Sequence, residues 1–204
     1  MSHFAVAVIL HDGDCLDDLL AQNCDGIVVC QGLMASETII YLHKKNIQLA
    51  KDMGFGGIEV YNLPKFDPML DRSGPFHKYH AAATVRQLRE NKLSIPCFDT
   101  SCDLSTDASA VETLLELIQV ARNAQVGYVV ACALQENEPL VQKNLAVLEP
   151  IAQELDICLL IKTSGIYADT GRLRKLLESY ASDFTGALWD MHHPYRDFGE
   201  SADT

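Results

Sequence analysis

The run Ile157-Cys-Leu-Leu-Ile161, closed by Lys162, and the run Gly186-Ala-Leu-Trp189, closed by Asp190-Met-His-His193-Pro-Tyr-Arg196, decide how this chain folds. Each is a short apolar stretch, as expected of a strand buried on both faces of a parallel sheet. Each ends abruptly in charge, and the carboxyl ends of such strands are where α/β proteins gather their reactive groups. Asp190 and His193 offer a hard oxygen and an imidazole at one mouth, which suits a divalent metal or a sugar hydroxyl.

Similar runs recur on either side. Phe4 to Leu10, Gly26 to Cys30, Gly57 to Tyr61, Leu93 to Phe98 and Gly127 to Cys132 read as strands, and Thr185 to Trp189 completes the series. From the second onward they start roughly thirty residues apart, the length of a βα unit with its loops. The intervening segments have helical period. Val111, Leu114, Leu115 and Ile118 follow i, i+3, i+4, i+7, and Ser109 with Glu112 reads as a capping box at their start. Leu145, Leu148, Ala152 and Leu155 form a second helix face with a kink expected at Pro150. Leu173, Leu176, Leu177 and Tyr180 form a third, capped by Asp169 or Thr170, and an earlier helix from about Ser36 to Asp52 stops at Gly54. An open nucleotide-binding sheet would carry a glycine-rich turn after its first strand, and His11-Asp-Gly-Asp14 does not provide one. The expected fold is therefore α/β, a parallel (β/α) TIM barrel that is incomplete, with about six or seven βα units. The irregular stretch Asn62 to His80 is expected to loop over its mouth.

Composition narrows the function. A chain of 204 residues, 48% of them apolar, can bury a full core, which excludes a disordered or fibrous protein. A net charge of −12 repels phosphodiester backbones, so nucleic acid is not expected as a partner. Seven cysteines without a C-x-x-C read as reduced thiols of a cytoplasmic protein, and no window is apolar for long enough to span a membrane. Association with further copies of itself into a homo-oligomer is compatible with an open barrel edge.

Gly54-Phe-Gly-Gly-Ile-Glu-Val-Tyr61 and Leu188-Trp-Asp-Met-His-His-Pro-Tyr-Arg196, the latter preceded by Gly165-Ile-Tyr-Ala-Asp-Thr-Gly171, resemble the xylose-isomerase-like TIM barrels. That superfamily holds sugar and sugar-phosphate isomerases and epimerases and also endonuclease IV. The resemblance runs from about residue 26 or 36 to the C-terminus and implies one domain over residues 1–204, with residues 1–24 as an extra N-terminal βα unit. It implies a divalent metal (manganese, magnesium, cobalt or zinc) at the barrel mouth, held by a Glu, an Asp, a His and a Glu at the ends of strands five to eight. The two glutamates move a proton beside the substrate carbonyl while the metal polarises the oxygens. Asp190 falls on the strand-six metal ligand and His193 on the histidine that contacts substrate. The strand-five ligand falls on Lys162, whose ammonium cannot ligate a metal. The ligands of strands seven and eight would lie beyond Thr204. Lys162 is expected to pair with Asp190 and to stand in for the ion.

The resemblance thus implies an isomerase or epimerase acting on a small sugar-like substrate, with Lys162 and Glu59 as catalytic residues. His193, Arg196 and His77 are its expected substrate contacts and Asp190 its metal ligand. A non-catalytic barrel that binds a sugar or another subunit is the alternative. Beside these roles stand plainer ones. Glu59, inside a strand, needs a partner such as Lys162 or Arg196. His77 and His80 lie in a polar loop, His192 is expected to be structural, and Trp189 is expected to be a barrel-wall residue. Asp99 and Cys102 either line the mouth or serve as an Asx turn and an apolar filler. Lys162 has a further expected role as a Schiff-base nucleophile.

Overall fold

The computed structural model describes residues 7–10, 28–31, 47–52, 55–61, 70, 72, 74–180, 182–190 and 192–201. Its main feature is a five-stranded parallel sheet, β3 (Val60–Tyr61), β4 (Phe98–Asp103), β5 (Tyr128–Cys132), β6 (Cys158–Lys162) and β7 (Thr185–Leu188), hydrogen-bonded in sequence order. Two further strands, β1 (Ala7–Leu10) and β2 (Val28–Gln31), pair in parallel as a sheet of their own. Helices α1 (Ile47–Asp52), α2 (Ala81–Glu90), α3 (Ala108–Ala124), α4 (Glu138–Glu154), α5 (Thr170–Tyr180) and α6 (His192–Phe198) alternate with the strands. Among the described residues this is the expected parallel α/β order of a (β/α) barrel, with seven strands.

The two faces of the main sheet carry different cores because side chains alternate along a strand. Phe98, Val129, Ala131, Leu159 and Ile161 point outward and pack in one cluster with Leu114, Leu117, Ile118, Leu145, Leu148 and Leu173 of the helices. Cys97, Val130, Leu160 and Leu188 point inward and form a smaller cluster. Of the helical positions read from the period, Val111, Leu114, Ile118, Leu145, Leu148, Ala152, Leu173 and Leu176 are buried, while Leu115, Leu155, Leu177 and Tyr180 are half-buried at the margin of the core. Asp156, at a left-handed φ of 57°, turns the chain out of α4 into β6. The chain runs through Pro150 without leaving α4. No helix among the described residues is long and apolar enough to cross a membrane.

Several boundaries differ from the sequence reading. The strand expected from Leu93 begins at Phe98 and continues to Asp103. Pro96 has no N–H to give to a ladder, so the preceding stretch makes only one isolated bridge, Gly57 to Ser94. Asp99 and Cys102 consequently lie within β4, and Lys162 is the last residue of β6 rather than the first beyond it. The cap of α3 is Asp107, whose carboxylate accepts the Ser109 N–H at 3.0 Å and its hydroxyl at 2.5 Å. Ser109 sits in the first turn, one residue after the first helical position, too late to act as the N-cap. At α5 the choice falls on Asp169, which accepts the Arg172 N–H at 3.1 Å. Of the helix expected from about Ser36 to Asp52 only α1, Ile47–Asp52, is described; its earlier part, its stop at Gly54 and most of the Asn62 to His80 loop lie outside the described residues, as does any side-chain account of the N-terminal unit.

Candidate functional site

Two residues beyond three of the four inward apolar side chains, the chain changes character. Cys97 is followed by Asp99, Leu160 by Lys162 and Leu188 by Asp190, so three charges stand in one layer above the apolar one. Glu59, at the entry to β3, feels Asp99, Lys162 and Asp190 electrostatically and completes the layer. All four side chains are largely removed from water, with Glu59 only 5% and Asp99 only 2% exposed.

Lys162 holds the centre. Its Nζ lies 3.4 Å from Oδ2 of Asp99 and 3.6 Å from Oδ2 of Asp190, an ammonium between two carboxylates. The pairing of Lys162 with Asp190 was expected, and the pairing with Asp99 adds a second anchor. Asp99 reaches this position because β4 is irregular between Asp99 and Cys102, where Ser101 takes a left-handed φ of 52°. The Ser101 N–H donates to Asp99 Oδ1 at 2.9 Å, and the Thr100 hydroxyl supports the bulge by donating to the Val130 carbonyl at 2.7 Å. Such bulges re-aim side chains beside functional sites. Asp99 is thus an Asx turn and a mouth residue at once.

Asp190 is held as firmly. Its N–H donates to the Thr163 hydroxyl at 2.7 Å, that hydroxyl donates to its carbonyl at 3.1 Å, and its Oδ1 accepts the His192 N–H at 3.0 Å. The turn that follows β6 is anchored by Gly165, which adopts a φ of +59°; a Cβ there would lie 2.2 Å from the Ala133 carbonyl oxygen. His193 places Nε2 3.7 Å from Asp190 Oδ2, and burial lowers its pKa against the opposing pull of Asp190. Arg196 is engaged by Asp197 at 2.6 and 2.9 Å and contacts Nδ1 of His193 at 3.1 Å and Nε2 of His192 at 3.4 Å. His192 and Arg196 therefore orient the outer rim beside His193.

Glu59 is the unusual member. Neither of its carboxylate oxygens has a hydrogen-bond partner of normal geometry. Burial first, and the Asp99 carboxylate second, raise its pKa to about 7; the Lys162 charge and the weakly donating Cys97 thiol act the other way. The partner expected for it therefore acts only through its field. His77 makes local contacts, accepting the Tyr79 N–H at 3.4 Å and lying near the rings of Tyr79 and His80. Among the described contacts it meets none of Lys162, Asp99 and Asp190. Trp189 is 37% exposed, not packed into a barrel wall. The four described cysteines, Cys97, Cys102, Cys132 and Cys158, are free thiols.

The family resemblance implies a divalent metal, and the donor set does not fit one. The oxygens that would converge on an ion converge on Nζ instead, and no group of three or more His, Cys, Asp or Glu among the described residues is arranged to hold a metal. Sequence reading found Lys162, Asp190, His193 and Arg196 as one constellation. It left Asp99 undecided and missed Thr163 and Asp197, whose roles depend on contacts between elements.

The fold is similar to that of solved xylose-isomerase-like TIM-barrel proteins, and the likeness is one of fold alone. A xylose isomerase domain protein from Planctomyces limnophilus superposes with a TM-score of 0.59 at 12% identity, over 92% of this chain and 63% of its own. The IolI protein, solved with a bound zinc atom, superposes with a TM-score of 0.64 at 14% identity, over 78% of this chain and 61% of its own. A D-psicose 3-epimerase solved in the presence of D-fructose gives 0.60 at 11% identity, over 78% and 65% respectively. The chain thus spans about three fifths of the length of these structures. No family model matches the chain, and no curated protein matches it in sequence.

Proposed function

We propose that residues 1–204 act as one barrel-derived unit that binds a small polyhydroxylated carbonyl compound and moves a proton on the carbon beside its carbonyl. The observation that carries this reading is Glu59, a buried carboxyl with unpartnered oxygens and a pKa of about 7, facing a fixed ammonium. A base already stripped of water and poised near neutrality is what carbon deprotonation needs. The Glu59 carboxylate takes the proton, the electron pair moves onto the carbonyl oxygen, and the Lys162 ammonium stabilises the enediolate charge. Return of the Glu59 proton to the former carbonyl carbon, with the hydroxyl proton passing to the neighbouring oxygen, isomerises the substrate, and a solvent proton delivered to the opposite face of the original carbon epimerises it. His193 and Arg196 contact hydroxyls at the rim. No step passes through a metal, because the donor set holds Lys162 in its place. Lys162 does not act as a Schiff-base nucleophile in this reading, since its Nζ is engaged by two carboxylates.

Fold neighbours that include a D-psicose 3-epimerase and a D-tagatose 3-epimerase-like protein support the substrate class. With so acidic a chain, nucleic acid is not part of the proposal. A second reading, a barrel that binds the sugar without turning it over, draws on the internal saturation of Lys162 by two carboxylates. The two separate in deuterium oxide. Incubating the chain with D-fructose and following solvent deuterium into the carbon-bound positions by NMR should give exchange that rises through about pH 7 and falls on the order of 100-fold in Glu59→Gln. Saturable ketose binding with no exchange would overturn the catalytic reading in favour of the second.

A further inference from the structure

We propose that Lys162 is a built-in replacement for a divalent cation, so that this mouth is organised by a covalently attached charge and excludes a metal ion. Asp99 and Asp190 are arranged alike around it. Each commits one oxygen, Oδ1, to the backbone N–H two residues on, Ser101 at 2.9 Å and His192 at 3.0 Å. Each thereby presents the other oxygen, Oδ2, to Nζ, at 3.4 Å and 3.6 Å. The carboxylates are aimed before the ligand arrives, which is how a metal site is commonly preorganised. Their spacing, however, fits an ammonium: hard divalent ions need oxygens at about 2.0–2.6 Å. An ion entering this layer has to displace an ammonium that is largely removed from water, doubly paired and tethered to the end of β6.

The consequence is specific to Lys162 and Asp99, and it is independent of whether the site turns over a sugar. A tethered cation cannot be removed by chelators or exchanged for another metal, and it brings one charge where an ion would bring two. The two aspartates match one ammonium imperfectly, so the layer keeps a residual negative charge, which disfavours phosphorylated ligands and favours neutral polyols.

The experiment titrates Mn2+ into the wild type, Lys162→Glu, Asp190→Asn and the double variant Lys162→Glu/Asp190→Asn, following free Mn2+ by electron paramagnetic resonance and melting temperature in parallel. Wild type should take up no stoichiometric ion, and its melting temperature should not move with Mn2+ or with a chelator. Lys162→Glu should bind one Mn2+ roughly 100-fold or more tightly than wild type, because a repulsive charge becomes an attractive one a few ångströms away. Its melting temperature should rise with the ion, and Asp190→Asn should cancel both effects. One equivalent of Mn2+ bound by wild type and lost in Asp190→Asn alone would overturn the proposal, and that arm decides even if Lys162→Glu does not fold. Equal, weak Mn2+ uptake by folded wild type and Lys162→Glu would overturn it as well.

Discussion

Cys97, Leu160 and Leu188 lie two residues before Asp99, Lys162 and Asp190 on the same inner face, yet the two layers are held together by opposite means. In the lower layer, any apolar side chain of similar volume would serve, since burial is non-directional. In the upper layer each group is oriented by a named partner: Ser101 for Asp99, Thr163 and His192 for Asp190, and the two aspartates for Lys162. A buried charge without its partner is costly, so the upper layer is stable only as a set. The difference locates function in the layer that tolerates least change.

The comparison breaks most visibly at Lys162. Lys162→Met keeps the length of the side chain and leaves Asp99 and Asp190 buried without a counter-charge, so it should cost about 3–5 kcal/mol in urea unfolding at pH 8. Adding Asp99→Asn should restore part of that loss. A cost below about 1 kcal/mol would mean that the upper layer is as permissive as the lower one.

Glu59 sharpens the contrast through pH. Its ordinary value of 4.5 applies to the unfolded chain, and about 7 to the folded one. Between these values the folded protein keeps a proton that the unfolded chain releases. Its contribution is full below about pH 4.5 and is lost as pH rises to about 7, a decline of about 3 kcal/mol. Glu59→Gln should remove that decline and be the more stable protein at pH 8. Matching urea midpoints against pH for the two proteins would remove Glu59 from the buried layer.

Legibility in the sequence divides along the same line. The lower layer and the outer core follow from local pattern: the period of Val111 to Ile118 and the apolar run of Ile157 to Ile161 reappear as α3 and β6. Charges at strand ends were also legible, since Lys162 and Asp190 terminate such runs. Asp99 was not, because its aim depends on a bulge at Ser101, and because Lys162 must reach it across β5 from β6 to β4. His77 marks the other side of that line: a histidine in a long loop invites a site role, and its described contacts lie within its own turn.

The smallest effect tests whether orientation matters apart from charge. Thr163 is 2% exposed, and its hydroxyl both accepts the Asp190 N–H and donates to the Asp190 carbonyl. Thr163→Val preserves shape and every charge in the layer but leaves a buried backbone donor unpaired, at a cost of about 2 kcal/mol. If the upper layer depends on aim, this variant should also loosen Asp190 from Lys162, and adding Lys162→Met should then cost less than it does in the wild-type background. Strictly additive losses in that double-mutant cycle would show that Thr163 only closes the strand end, and that the two aspartates hold Lys162 without help from the turn that carries one of them.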